Sequence, residues 1–329
     1  MKMNIAIVMG GYSGEHDISI MSGTQVYQSI SADLYNRYRV VVERDRWFGL
    51  DDDDQEIPLD RADFTLHMSN KVVKFDLAFI IIHGNPGENG VLQGYFDMLS
   101  IPYTTCGFYT SALTFNKAYC NAVVRDFGIT KVARSFHLFE NQPYNCQKIV
   151  DTLGLPLFVK PAAGGSSVAT TKVKTIDQLE PAIREAFTED REVLVEEFIK
   201  GREFDCGVFR AKHQKYVFPV TEIIPTGGHE FFDYDAKYNG FSNEVTPAQV
   251  DDSISREIQD VSSKLYDMLN CEGIVRFDYL YDVEQSHLYF MEVNTIPGQS
   301  PESIVPKEAR AIGISPSELY HMAIEAALK

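Results

Sequence analysis

Asp278 and Glu292, with Arg276 and Asn294 beside them, are the residues of this chain whose types and spacing lend themselves best to chemistry. They fall on two β-type runs, Gly273 to Tyr281 and His287 to Asn294, joined by a polar turn. Side chains alternate faces along a strand, so Arg276 and Asp278 share a face, as do Glu292 and Asn294 on the next run. Paired as a hairpin, the runs would bring two carboxylates and an amide oxygen together. That is a hard-oxygen set of the kind Mg²⁺ takes alongside waters and substrate phosphates, and it leaves Arg276 for an anion. A salt-bridged, solvent-facing hairpin shows the same alternation. Two features favour the site: the neighbours Phe277, Phe290 and Val293 are apolar, and charges beside a core need partners; and Asn294 leads into Thr295-Ile296-Pro297-Gly298, a turn.

A second candidate is the run from Leu157 to Pro161, a buried strand carrying Lys160 that leads into Ala162-Ala163-Gly164-Gly165-Ser166-Ser167. Such a loop can offer backbone N–H groups and hydroxyls to phosphate. Because the lysine precedes the glycines, the spacing is not that of Gly-x-x-x-x-Gly-Lys-Ser/Thr, which excludes a Walker-type loop. Another lysine, Lys117, stands near the start of a helix-like run. Either lysine alone reads equally well as a solvated charge. A polyanionic ligand would nevertheless need such cations in a chain whose Asp plus Glu outnumber Lys plus Arg by 47 to 30.

Nearer the start, Gly10-Gly11-Tyr12-Ser13-Gly14-Glu15 follows an apolar strand and opens a helix, with Glu43 at the end of the next strand. A nicotinamide-dinucleotide turn is one reading, but the spacing is Gly-Gly-x-x-Gly. Glu15 in the first helical turn suits the helix dipole; it would oppose a pyrophosphate and welcome an ammonium group, although plain capping explains it too. His83-Gly84-Asn85-Pro86-Gly87-Glu88-Asn89-Gly90 is turn-rich and ends a strand, where open α/β sheets bind ligands. A capped turn is the alternative there.

The elements that must position these residues are legible in outline. Strands at Ile5 to Met9, Tyr38 to Val42 and Leu77 to Ile82 alternate with helix-like stretches, predicting three βα units in a small parallel sheet. The acidic run Asp51 to Asp54 between them reads as a solvated loop. After Cys106 come a helix-like Ser111 to Phe127, the Lys160 strand, a helix from about Ile176 to Phe187 and a strand Val193 to Glu197, an α+β mixture. Strands near Glu203 to Arg210 and Tyr216 to Ile224 follow, then a weakly periodic stretch from Pro225 to Thr246, long enough to be functional or disordered. With 329 residues, 44% of them hydrophobic, two or three cores are expected.

Composition excludes several classes of function. A formal charge of −17 leaves no electrostatic footprint for nucleic acid or an anionic membrane. No signal-peptide pattern or membrane-length apolar run is present, so a cytoplasmic protein is expected. Five scattered cysteines without a Cys-x-x-Cys pair read as reduced thiols, not a disulfide framework or zinc site.

Taken in order, seven segments resemble the D-alanine:D-alanine ligase family of the ATP-grasp superfamily, nearly end to end. They are Gly10 to Glu15, His83 to Gly94, Ser111 to Lys117, Val159 to Ser167, Val195 to Glu203, Tyr234-Asp235-Ala236-Lys237-Tyr238, and Arg276 to Pro306. The resemblance implies an ATP-grasp fold with an N-terminal Rossmann-like domain (1–105), a central ATP-grasp subdomain (106–200), and a C-terminal catalytic domain (201–329) with a closing loop at about 225–246. It implies that Lys117, Lys160 and Ser167 hold ATP's phosphates, Glu203 the ribose, and Glu196, Glu197 and Ile199 the adenine edge. Asp278, Glu292 and Asn294 would hold two Mg²⁺ ions, which Mn²⁺ can replace.

By the same resemblance, the γ-phosphoryl group goes to the carboxylate of one D-alanine, and the amine of a second attacks the acylphosphate to give the cell-wall dipeptide. Glu15 would anchor the first ammonium, linked to Ser166 and Tyr238, with His83 near that substrate. Arg276 and the Gly298 N–H would take the oxyanion, Ser303 and Ile304 would hold the second substrate, and Lys237 would act from the closing loop. A homodimer through the first domain is also implied. Asn116, Asn89, Phe232, Ala169 and Gln299-Ser300 depart from the family pattern, and the last pair leaves D-serine, D-lactate or an L-amino acid open as second substrate. The general base is open as well, between Tyr238 and an amine that arrives neutral. A nicotinamide-dependent oxidoreductase and a non-catalytic ATP-binding module are the readings from other classes.

Overall fold

A computed structural model of the chain describes residues 2–165, 168–226 and 242–328. The buried run Ile5 to Met9 forms the middle of strand Met3–Gly10, which lies parallel to Tyr35–Val42 on one side and Leu77–Ile80 on the other. Burial on both faces explains why continuous apolar runs, not alternation, mark these strands. The sheet continues antiparallel through Trp47–Leu50, Glu56–Asp60, Thr65–Met68 and Lys71–Val73 to seven strands. The expected small parallel sheet is therefore the core of a larger mixed one. The added strands are short and partly exposed, so they lack the apolar runs that betray the parallel ones. The acidic run forms a loop between two of them, where the Asp51 side chain accepts from the N–H groups of Asp53 and Gln55.

A second, antiparallel sheet orders Thr171–Val173, Leu157–Pro161, Glu192–Glu197 and Ser135–Phe139. Leu157 and Val159 turn inward onto helices Cys146–Leu153 and Ile176–Glu189, where Ile149, Leu179 and Ile183 receive them. The period of two then forces Phe158 and Lys160 onto the opposite face.

The third sheet runs Ser242–Val245, Thr221–Pro225, Arg202–Arg210, Ile274–Asp282, His287–Asn294 and Lys131–Val132, with Lys215–Val217 added to Arg202–Arg210. Helix Asp252–Met268 covers it through Ile258, Val261 and Leu265. Helices Phe108–Phe115 and Lys117–Phe127, which the sequence groups with the middle of the chain, pack on this third core, the second turning Cys120 and Val124 into it beside Phe277 and Phe290 and the first laying Leu113 against it. The last helix, Pro316–Ala327, returns to the first sheet: the Tyr320 ring meets Phe79 edge-on at 5.6 Å. The same core takes in Phe209 and Ile274 from strands of the third sheet.

Candidate active site

Strands of the second and third sheets, with the loops that follow the strands of the first, line one cleft of about 1050 Å³, into which Glu15, Lys117, Lys160, Glu196, Arg276 and Glu292 project. Its floor is the hairpin of Ile274–Asp282 and His287–Asn294. In its register Asp278 stands opposite Glu292 and Arg276 opposite Asn294, and an irregularity follows at Asp278/Tyr279. The four polar residues therefore share a face, as alternation requires. Arg276 donates from Nε to Asp278 Oδ1 and from Nη2 to Oδ2, both at 2.7 Å, and Asn294 Nδ2 donates to Oδ2 at 2.9 Å. Among the described residues no group of three or more His, Cys, Asp or Glu side chains converges as a metal site; the hairpin's third donor is an amide.

The two lysines reach the cleft from different elements. Lys117 opens its helix directly after Asn116, whose side-chain oxygen caps that helix by accepting from Ala118 N at 3.0 Å and Tyr119 N at 3.2 Å. An N–H···O bond of 2.7 Å from Lys117 to Ala162 ties this helix start to the Gly/Ser loop. Lys117 Nζ lies 3.0 Å from Glu292 Oε2 and donates to Gly164 O at 2.8 Å. Burial alone would depress this ammonium, but the surrounding carboxylates, Glu292 foremost, together outweigh it and the group stands above its ordinary range. Lys160 Nζ lies 2.6 Å from Glu196 Oε2, whose other oxygen accepts from Asn121 at 3.0 Å. The loop also meets the N-terminal acid: a Cβ on Gly165 would fall 2.6 Å from Glu15 Oε2.

Behind the cleft, residues of the helix and loops that follow the first-sheet strands grip the turn after Asn294. His83 Nδ1 is 2.9 Å from Ile296 O, which fixes the proton on Nδ1, and Nε2 faces Ser22 Oγ at 3.3 Å. Burial holds this imidazole below its usual pKa, hence neutral. Glu88 accepts from the Gly84 N–H at 2.7 Å and from the Ile296 N–H. Burial, with the Glu15 charge adding to it, pushes Glu88 up to about 8. Ser22 Oγ accepts from Gln299 N at 3.3 Å. Both sides of the Ile296 peptide are thus held two residues before Gly298.

The family model described as D-ala D-ala ligase N-terminus matches residues 4–106, and that described as D-ala D-ala ligase C-terminus matches residues 124–325. The chain belongs to the D-alanine–D-alanine ligase family. Over 329 residues it is 44% identical to a D-alanine–D-alanine ligase of Parabacteroides distasonis, a match covering 100% of this chain and 98% of the relative. The crystal structure of VanG D-Ala:D-Ser ligase from Enterococcus faecalis superposes with a TM-score of 0.88 at 31% identity, covering 99% of this chain and 100% of that one. A D-alanine–D-alanine ligase from Bacillus anthracis complexed with ATP gives a TM-score of 0.79 at 27% identity, covering 99% and 97%. These likenesses retire the nicotinamide reading of Gly10, Gly11 and Glu43.

In this ligase Glu197, Ile199, Glu203 and Asp278 also line the cleft. Glu197 is bonded to Arg134 Nε at 2.6 Å. His83, Asn294, Gly298, Ser303 and Ile304 lie outside that lining, where the Ser303 and Ser300 hydroxyls meet at 2.8 Å. Ser166, Ser167, Phe232, Lys237 and Tyr238 fall outside the described residues. Two acids escaped the sequence reading of individual sites. Glu88 sits inside the His83 segment, and Asp205 is two residues from Glu203 on one strand, a spacing that puts both on one face.

Proposed function

We propose the following division of labour for the reaction of this ADP-forming ligase, in which ATP drives the joining of two D-alanine molecules into D-alanyl-D-alanine for peptidoglycan precursors. The observation that carries it is the convergence on one cleft of two lysines, the Asp278–Glu292 hairpin, Arg276 and Glu15. Lys117, Lys160 and the Ser167 loop hold the phosphates, Glu203 holds the ribose, and Glu196, Glu197 and Ile199 face the adenine edge. Phe158, Leu280 and Met291 supply the apolar walls of the base pocket.

Asp278, Glu292 and Asn294 are the residues to hold two Mg²⁺, or Mn²⁺ in their place. The donors fit: all are hard oxygens, Asp278 and Glu292 are paired in register and line the cleft that holds the phosphate lysines, and Asn294, outside that lining, is bonded to Asp278. Mg²⁺ bound there supplies neutralisation of charge on phosphate oxygens. The chain's own cations do the same work, with Lys117 and Lys160 offsetting charge as a carboxylate oxygen of the first D-alanine attacks the γ-phosphorus and the bond to ADP breaks.

Glu15, backed by Ser166 and Tyr238, holds the first ammonium, and His83 closes that side. The amine of the second D-alanine attacks the acyl carbon of the D-alanyl phosphate. Arg276 and the Gly298 N–H stabilise the oxyanion by about 3 kcal/mol per donor, and the C–O bond to phosphate breaks. Ser303 and Ile304 hold the second substrate's carboxylate and side. Lys237 and Tyr238 belong to a closing segment, about 225–246, that excludes water from the acylphosphate.

We divide the chain into units at 1–105, 106–200 and 201–329, a division that follows the three sheets except that helix Lys117–Phe127 and strand Lys131–Val132 pack with the third. No described helix is long and apolar enough to cross a membrane, and a cytoplasmic homodimer is our reading of the whole. The exposed apolar side chains Val91 and Met98 (86%) of the first unit, with Phe108 and Tyr109 (85%) just past its end, support a self-contact there. With D-alanine labelled by ¹⁸O in its carboxylate, one ¹⁸O per turnover should appear in the released phosphate. Unlabelled phosphate would refute the acylphosphate route.

A further inference from the structure

Arg276 touches two carboxylates, and only one of them belongs to the proposed metal set. Its Nε lies 2.7 Å from Asp278 Oδ1 and 3.2 Å from Asp205 Oδ2. Asp205 is on strand Arg202–Arg210, directly opposite Asp278 in the register of the sheet, so the two acids flank the guanidinium. The side chain of Asp205 is 3% exposed and that of Arg276 is 15% exposed, so neither charge has bulk water to fall back on. The other Asp205 oxygen, Oδ1, is buried without a hydrogen-bond partner among the described residues. A buried carboxylate bound on one side only is costly to keep unless its charge serves a neighbour.

The reading of Asp278 as a metal ligand creates a conflict. Both Asp278 oxygens are occupied by Arg276, and Oδ2 by Asn294 as well. With two donors already on Oδ2, a cation there displaces or weakens one of them, and its charge repels the guanidinium; a buried guanidinium, which does not deprotonate, then needs another anion. Asp205 is already within reach. Of the other acids nearby, Glu308 has both oxygens engaged, accepting from Gly207 N at 2.9 Å and Thr221 Oγ1 at 3.0 Å, and Glu292 is held by Lys117. Burial and then the Asp278 charge push Asp205 itself well above the usual carboxylate range, and Arg276 opposes that rise; a cation on Asp278 would relieve the second cause.

We infer that Asp205 is a positioning residue for Arg276, the counter-ion that keeps the guanidinium on the oxyanion side of the hairpin when Asp278 turns its oxygens to the nucleotide's metal. The inference rests on the proposed roles of Arg276 and Asp278. In this arrangement Asp205 never touches substrate; it removes the competition between Arg276 and the metal for one carboxylate.

The test uses full-length protein carrying Asp205→Asn, Arg276→Met or both. Dipeptide formation is measured alongside Mn²⁺ binding to the enzyme–ADP complex by electron paramagnetic resonance. Asp205→Asn should lower kcat and weaken Mn²⁺ binding by about 10- to 100-fold, the range found for groups that orient a ligand, with KM for ATP little changed. In the Arg276→Met background, adding Asp205→Asn should change neither kcat nor Mn²⁺ affinity. Asp205→Thr, β-branched and suited to a central strand, carries the same expectations should the asparagine variant not fold. Asp205 variants with normal kcat and normal Mn²⁺ affinity would overturn the inference. So would an Asp205→Asn loss of affinity that persists without Arg276, which would mark a direct field on the metal. A normal kcat for Arg276→Met would instead sink the oxyanion role of Arg276 while leaving the contact between Asp205 and Arg276 as it stands.

Discussion

Asp278 and Glu292 face each other across two antiparallel strands, and each is held by a cation of this chain, Asp278 by Arg276 at 2.7 Å and Glu292 by Lys117 at 3.0 Å. Like charges directly opposite one another destabilise a sheet, so the pair is kept for what it binds. Asp278→Asn keeps the shape and removes one charge. Turnover, read as phosphate release at saturating D-alanine, should fall by about 10²- to 10³-fold, while the circular dichroism spectrum stays that of the parent.

Lys117 joins the helix start, the Gly/Ser loop and Glu292. Ligand that binds only the folded state raises the melting temperature, so ATP with Mg²⁺ should stabilise the parent protein. Lys117→Ala should abolish most of that upward shift. An equal ATP-induced shift in the variant would remove Lys117 from the phosphate site.

Glu88 links stability to pH. Its pKa rises from 4.5 to about 8 on folding, so the folded state binds the extra proton between those values. The stabilisation is complete below pH 4.5 and is lost as pH climbs through about 8, at up to about 1.4 kcal/mol per pH unit from this group. Melting temperature should therefore decline from pH 5 to 8, and Glu88→Gln should flatten part of that slope. An unchanged slope would mean that Glu88 is ionised in the folded protein.

Gly273 stands at φ +68°, and a Cβ there would fall 2.1 Å from Thr104 O. This contact joins the end of the first unit to the strand that carries Arg276 and Asp278. Gly273→Ala should cost more than about 2 kcal/mol of stability, through left-handed strain and the backbone clash together, as read by urea denaturation.

Period-two alternation was enough to put Arg276, Asp278, Glu292 and Asn294 on one face, and to turn Lys160 away from Leu157 and Val159. The same rule links Glu203 to Asp205, yet the partnership of Asp205 with Arg276 depends on which strands are neighbours in the sheet. Strand order is set by packing across 71 residues of separation, 205 to 276, and no local pattern encodes it. The grip of His83 on Ile296 spans 213 residues and runs through a backbone carbonyl, which has no signature in side-chain types. The short antiparallel strands beyond Tyr35–Val42 were hidden for another reason: half-exposed edges do not carry the apolar runs of the parallel core. Helix Lys117–Phe127 shows its apolar stripe in sequence, but the stripe names a face and not the sheet that will cover it.

The account is tested most directly by incubating the purified protein with ATP, Mg²⁺ and D-alanine and following the products by mass spectrometry and phosphate assay. It predicts D-alanyl-D-alanine, ADP and phosphate in equal amounts, with Asp278→Asn nearly inactive. ATP consumed without dipeptide, or dipeptide formed equally well by the Asp278 variant, would contradict it.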